Sequence, residues 1–325
     1  MKNYNVLFTG GIDSTYRLCQ LASDKDATVQ PIYILFPRDG HPHSRPEIEN
    51  EVKSQDNILS YIVAQPQTKA VFKPIRRINR SEIFLDDKVA GLEPYLAEFK
   101  LGWQYLYFAE LARWYPGIEL CHEFFPNVSL ENKLFFKESN GQKIIDTDKT
   151  DEIFSFLFKD FSWPIFGTTR MEMLEDFKKW GYYGILKHIW WCYQSIDGKP
   201  CGFCDNCRAK IKEGLSFLFD KEAIHRFLAF TYVKSHLDGY YWGYAFYEYF
   251  FNHEYICIES RDKNLLWSFK QFDRILKLKD SVLKKLIIEG SFDYAYSRKK
   301  KEQILAYKKD VNRKHMFDFL QTKFK

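Results

Sequence analysis

The chain has 325 residues, 46% of them apolar and 18% aromatic, which is enough to bury a large core across two domains and excludes a disordered chain. No run of about 18 apolar residues occurs, and Met1-Lys2-Asn3-Tyr4 leads into a strand-like segment rather than a secretory h-region. Together these predict a soluble, cytoplasmic protein without a membrane role. The net charge of +5 is uneven, because residues 220–325 hold 21 Lys+Arg against 14 Asp+Glu, so the basic character is C-terminal.

The apolar run Val6 to Phe8 stops at Gly10-Gly11, and Asp13, Ser14 and Thr15 then open a helix carrying Tyr16, Leu18, Leu21 and Ala22. This predicts strand, tight turn and helix. Residues 28–37 read as a second buried strand, and residues 44–65 as a helix behind a Ser44 cap, with Ile48, Val52, Ile58, Leu59 and Ile62 at helical spacing. Residues 69–75 predict a third strand, 94–115 one long apolar helix, and 117–125 a further strand. Alternation of this kind argues for an α/β fold: a parallel sheet with helices on both faces and ligands at the carboxyl ends of its strands. From Met171 to Trp190 the pattern is helical, a cysteine-rich segment follows, and residues 207–220 hold a short helix. Leu265, Phe269, Phe272, Leu276, Leu283 and Leu286 suit amphipathic helices, so residues 220–325 read as a mostly helical extension. The expected divisions are 1–190, 191–219 and 220–325.

Two features carry chemistry. In the turn, backbone N–H groups of Gly10 and Gly11, the hydroxyls of Thr9, Ser14 and Thr15, and the start of the helix can cradle a phosphate. Asp13 can hold a Mg²⁺ beside it or cap the helix. The turn lacks the Gly-Lys-Ser/Thr ending of a Walker loop and the third glycine of a dinucleotide fingerprint. In the second feature, Cys192-x8-Cys201-x2-Cys204-x2-Cys207 can close a tetrahedral Zn²⁺ site, with an iron–sulfur cluster as the competing reading. Cys19, Cys121 and Cys257 read as core residues.

The string Thr9-Gly10-Gly11-Ile12-Asp13-Ser14 resembles the PP-loop, Ser-Gly-Gly-x-Asp-Ser, of the ATP pyrophosphatase superfamily, with Thr9 in place of the first serine. Adding Trp190-x-Cys192-Tyr193 and Pro200-Cys201-Gly202-x-Cys204-Asp205-x-Cys207-Arg208, residues 1–215 are similar to the 7-cyano-7-deazaguanine synthase family. That resemblance implies an adenine nucleotide α-hydrolase-like fold, use of ATP and Mg²⁺ with release of AMP and pyrophosphate, and a structural Zn²⁺. It also implies a 7-carboxy-7-deazaguanine substrate that is adenylated and converted by ammonia to the nitrile used in queuosine synthesis. Pro164 to Met173 is similar to the family's Pro…Ser-Lys-x-Glu-Ile segment, so Asp13, Ser14, Arg170 and Glu172 are the implied catalytic residues.

The sequence departs from the family at three places. Arg170 stands where the family has lysine. The motif that covers the deazaguanine is replaced by "IELCHEFFPNVSLENKLFF", in which Glu123, Phe124 and Phe125 are the nearest candidates for a carboxylate and a stacking surface. Residues 220–325 have no counterpart, and their aromatic and basic stretches read either as core and solvated face or as a surface for a protein or nucleic acid, of which nucleic acid is the less favoured. These departures suit a second reading, transfer of the activated deazaguanine to a protein amine in an anti-phage defence system. A PP-loop tRNA thiolation enzyme, a non-catalytic nucleotide-binding subunit and a homo-oligomeric assembly are also compatible with the sequence.

Overall fold

Val6 and Phe8 are wholly buried, and the strand that leads into them lies inside the sheet rather than at its edge. The computed structural model describes residues 1–85, 87–98, 101–122, 134–139, 141–212 and 214–236. In chain order the first unit begins with β1 (Lys2–Leu7), α1 (Ile12–Ala22), β2 (Ala27–Leu35), α2 (Ile48–Val63), β3 (Val71–Phe72) and β4 (Arg76–Asn79). It continues with α3 (Asp87–Ala90), α4 (Glu93–Glu98), α5 (Gln104–Trp114), β5 (Ile118–Glu119), β6 (Phe136–Ser139), β7 (Gln142–Ile145), α6 (Glu152–Phe158), β8 (Phe161–Ser162) and α7 (Arg170–Lys179). The chain divides into two compact units, Met1–Trp190 and Trp191–Lys325.

The strand order is β3-β2-β1-β5-β8-β7-β6, with β4 also pairing β2. All pairs from β3 to β8 are parallel, whereas β7 runs antiparallel to β8 and to β6. The sheet is therefore mostly parallel but mixed, a correction to the wholly parallel sheet read from the alternation. The chain leaves β1 toward β2 and later returns to β5 on the other side of β1. Order reverses there, and in open α/β sheets the crevice beyond the carboxyl ends at such a reversal is where ligands bind. Thr9, Gly10 and Gly11 follow β1, and Cys121 and His122 follow β5.

Side-chain alternation along β2 shows how both faces are covered. Ile32, Ile34 and Phe36 share a buried cluster with Leu106 and Leu111 of α5 and Phe154 and Phe158 of α6. On the opposite face the Tyr33 hydroxyl donates to Glu51 of α2, and α1 packs between α2 and α7. Trp163, wholly buried, meets the rings of Phe136 and Phe158 edge-on at 5.5 and 5.6 Å. Large side chains sealed in this way contribute roughly 1.5–3 kcal/mol each.

Several expected elements are shorter or broken, each for a local reason. The 94–115 helix is two helices, because the chain leaves helical form at Leu101-Gly102 and Leu101 N–H closes onto Leu96 C=O at 2.9 Å. The 69–75 strand splits around Pro74, which has no N–H for the ladder. Among the described residues of the expected 117–125 strand, Ile118–Glu119 form β5, Cys121 and His122 lie beyond it, and Glu123, Phe124 and Phe125 lie outside the described residues. Ser44 does not cap α2, which starts after Pro46-Glu47; its hydroxyl donates to the His41 carbonyl instead. The helical stretch from Met171 is α7 and then a separate 3₁₀ segment, Tyr183–His188, divided at Gly181, whose φ of +79° no helix accommodates.

The second unit holds the cysteine segment, α8 (Asp205–Lys212) and α9 (Lys221–His236). Of the expected helical extension only α9 falls among the described residues; Cys257, the apolar positions from Leu265 to Leu286 and the aromatic and basic stretches lie outside them. Among the described residues, no helix is long and apolar enough to cross a membrane.

Candidate functional site

The turn after β1 is built by two glycines with different tasks. Gly10 takes φ +76°, the left-handed region that a side chain disfavours, and lies so close to α2 that a Cβ there would sit 3.0 Å from Gln55 Cγ. Gly11 is extended and flanks α1, with no side chain capping the helix. Asp13 is thus in the first turn and not the cap, a correction to one of the two roles expected of it. The N–H groups that begin α1 are left for a ligand, and the helix dipole there favours an anion. Around them the hydroxyls are loosely held: Thr9 Oγ1 accepts from Gly11 N–H at 3.4 Å and is 3.4 Å from Ser14 Oγ, which donates to Gly11 C=O at 3.3 Å. Thr15 is wholly buried, and its hydroxyl has no hydrogen-bond partner in the protein.

Arg170 comes to this turn because α7 is fastened along α1. Tyr16 of α1 donates to Asp176 at 2.7 Å, stacks on Trp180 at 5.2 Å and meets Phe177 edge-on at 5.8 Å. Burial, and then the hydrogen bond to the Asp176 carboxylate, push the Tyr16 phenol well above its ordinary value, so it remains a donor at neutral pH. Arg170, the first residue of α7, is 5% exposed, and its Nη2 lies 3.3 Å from Asp13 Oδ1. That oxygen is buried and has no hydrogen-bond partner. A cation that never loses its proton and a carboxylate with a spare lone pair therefore meet at the mouth of the turn, a donor set that fits a phosphate and a Mg²⁺ ion. Glu172 does not join them. Its carboxylate accepts from Thr169 N–H and Oγ1, both at 2.7 Å, while Thr169 Oγ1 accepts from Glu172 N–H, which closes a capping box on α7.

In the second unit Cys192, Cys201, Cys204 and Cys207 are all buried, are not joined in disulfides, and bring their sulfurs within 4.8 Å of one another. Zn–S arms of about 2.3 Å place tetrahedral sulfurs about 3.8 Å apart, and Cys201 and Cys207 are 3.9 Å apart. Backbone N–H groups of Gln194 and Cys201 donate to the Cys192 sulfur at 3.4 and 3.2 Å, and those of Phe203 and Cys204 to the Cys201 sulfur at 3.4 and 3.2 Å. Hydrogen bonding from Cys192, then from Cys201 and Cys207, lowers the Cys204 thiol, while contacts with Cys201 and Cys204 raise Cys192 and contacts with Cys192, Cys201 and Cys204 raise Cys207. Four thiolates this close repel one another, and a divalent metal lets all four ionise. The four cysteines could hold a metal ion such as zinc. Arg226 of α9 braces the segment, donating to Cys201 C=O at 2.7 Å and to Pro200 C=O at 3.3 Å.

No protein-family model and no curated protein sequence matches the chain. Sequence reading missed two contributors. One is Arg17 of α1, whose Nε and Nη2 donate to the two carboxylate oxygens of Glu119 at 2.8 and 2.6 Å, tying α1 to β5 beside the reversal point. The other is Gln55 of α2, wholly buried against Gly10. It had a signal: it is a polar residue in register with Ile48, Ile58 and Ile62 on one helix face. Arg17–Glu119 had none, since nothing local pairs residues so distant in the chain.

Proposed function

We propose that the chain is an ATP-dependent, AMP-forming enzyme that activates a carboxylate by adenylation, with 7-carboxy-7-deazaguanine as the substrate; ammonia displaces AMP to give the amide, and a second adenylation, on the amide oxygen, followed by loss of AMP gives the nitrile. One observation carries the reading: Asp13 and Arg170, remote in sequence, meet at a glycine turn that opens a helix at the reversal point of the sheet. In this reading the N–H groups of Gly10, Gly11 and the first turn of α1, with Thr9, Ser14 and Thr15, receive the oxygens of the departing pyrophosphate. Asp13 would hold Mg²⁺, which supplies neutralisation of the phosphate charge. Arg170 has no proton to give up, so it acts as a fixed cation at the transferring phosphoryl group and not as an acid or base. The chemistry needs these groups because a carboxylate has no good leaving group until AMP is attached to it. The Cys192, Cys201, Cys204 and Cys207 set would bind Zn²⁺ in a structural role, with four protein ligands and no open position for substrate.

The test is release of pyrophosphate and AMP from Mg·ATP with 7-carboxy-7-deazaguanine, with and without ammonium, followed by mass analysis of the products. Ammonium-dependent nitrile is the expected result. Adenylate without nitrile would keep the activation and replace ammonia by a macromolecular amine, and no pyrophosphate under any of these conditions would overturn the proposal.

A further inference from the structure

Gln55 lies on the buried face of α2, next to Ser54 and one turn from Glu51, where that helix meets the glycine turn, and we infer that its side-chain amide is a further binding group for the phosphate moiety held there. The inference rests on the nucleotide reading above. Gln55 is wholly buried, and the space that a side chain at Gly10 would fill is what admits it, since its Cγ lies 3.0 Å from the position of a Cβ on that glycine. Its neighbour Ser54 is fully engaged within the fold: Ser54 Oγ donates to His188 C=O at 2.6 Å and accepts from Trp190 N–H at 3.1 Å.

Gln55 is engaged at one end only. Its Oε1 lies 3.5 Å from Arg77 Nη2. A guanidinium donates and never accepts, so the amide oxygen must take that side and the nitrogen the other. Gln55 Nε2 is buried and has no hydrogen-bond partner in the protein. A buried donor left without an acceptor is costly, and a residue serving only as packing in this register would be better as Leu or Met. The Thr15 hydroxyl on α1 and Asp13 Oδ1 are buried and likewise without hydrogen-bond partners. Two of these three atoms are donors, and Asp13 and Thr15 belong to the first turn of α1, whose N–H groups no side chain caps. That chemistry selects an anionic oxygen, the phosphate of a nucleoside triphosphate or free pyrophosphate, over the base or the sugar.

Two variants separate binding from architecture. Gln55→Met keeps the length of the side chain and removes the amide; Gln55→Glu keeps its shape and the oxygen facing Arg77 but replaces the donor by a negative charge. Mg·ATP and Mg·pyrophosphate would be titrated calorimetrically into the full-length proteins, with urea unfolding of the ligand-free proteins alongside. Both variants are expected to bind both ligands about tenfold more weakly or worse, Gln55→Glu the weaker of the two, while ligand-free Gln55→Met unfolds at no lower urea concentration than the parent. Variants that bind as tightly as the parent, or a Gln55→Met whose ligand-free stability falls while its affinity holds, would overturn the assignment. A parent protein that binds neither ligand defeats the nucleotide reading itself, which is a different result from a parent that binds beside variants that bind equally well.

Discussion

Gly202→Ala tests whether the cysteine segment is held shut by α9. Gly202 takes φ +84°, and a Cβ placed on it would lie 2.0 Å from the carbonyl oxygen of Ala223 and 2.7 Å from its carbonyl carbon. Left-handed backbone costs alanine about 1–2 kcal/mol. The clash is with main chain, so no side chain can swing away; either α9 or the Cys201–Cys204 turn must shift, which as overpacking costs about 1–3 kcal/mol more. The shift would also strain the hydrogen bonds from Arg226 to Cys201 and Pro200. The expected total is about 2–5 kcal/mol. Gly198→Ala provides the control: its φ is +70°, yet nothing lies within 4 Å of its Cβ position, so only the backbone part, about 1–2 kcal/mol, applies. The assay is metal content, the rate of metal release to a chromophoric chelator, and thermal unfolding, all on full-length protein. Gly202→Ala should release metal faster and melt lower than Gly198→Ala. Equal behaviour of the two would refute the packing of α9 on this turn.

Asp13→Ala should reduce pyrophosphate release to background while the protein stays folded, destabilised by roughly 1–3 kcal/mol because the buried Arg170 guanidinium loses its carboxylate; normal turnover would remove Asp13 from the site. Cys204→Ser should lose its bound metal by elemental analysis, and the parent's visible spectrum decides the metal, zinc being colourless and an iron–sulfur cluster absorbing. Glu172→Gln preserves the capping box and should leave both stability and turnover near those of the parent, whereas Glu172→Ala should lose about 0.5–2 kcal/mol; a Gln variant that is stable but inactive would give the carboxylate a chemical role. Tyr16 has a folded-state value raised above 10.0, so its contribution is complete below about pH 10 and is lost as pH rises beyond it. Urea midpoints measured from pH 8 to 11 should fall less steeply in Tyr16→Phe than in the parent, and identical slopes would contradict the Tyr16–Asp176 hydrogen bond.

The parts of the fold legible in sequence are those whose signal is local and long. β1, Gly10-Gly11 and α1 follow from an apolar run, paired glycines and helical spacing, and β2 from a nine-residue apolar strand. The β6–β7 hairpin left no comparable signal, because its strands are four residues each and carry Lys137, Glu138 and Gln142 on exposed positions and a half-buried Lys143, with the turn at Gly141. The break between α4 and α5 was hidden for the opposite reason: Leu101, Trp103 and Leu106 continue an apolar pattern across Gly102, so burial masks the end of the helix. Where every side of a segment is apolar, periodicity loses its power to mark boundaries.

The candidate site divides along the same line. Thr9 to Thr15 could be read because a turn followed at once by a helix start is one continuous stretch of chain, and the cysteines because four ligands at short spacing constrain one another. Arg170 was reached only through a resemblance. Its place beside Asp13 depends on α7 docking along α1 through Tyr16, Phe177, Trp180 and Asp176, which no spacing rule connects to the turn. Gln55 lies between these cases. A polar residue in register on a buried helix face must either find a partner within the fold or wait for one outside it, and Ser54 and Gln55, adjacent on α2, show the two outcomes. The hydroxyl is satisfied by the main chain at His188 and Trp190. The amide nitrogen is not, and that difference is what turns a break in an apolar pattern into a statement about a ligand.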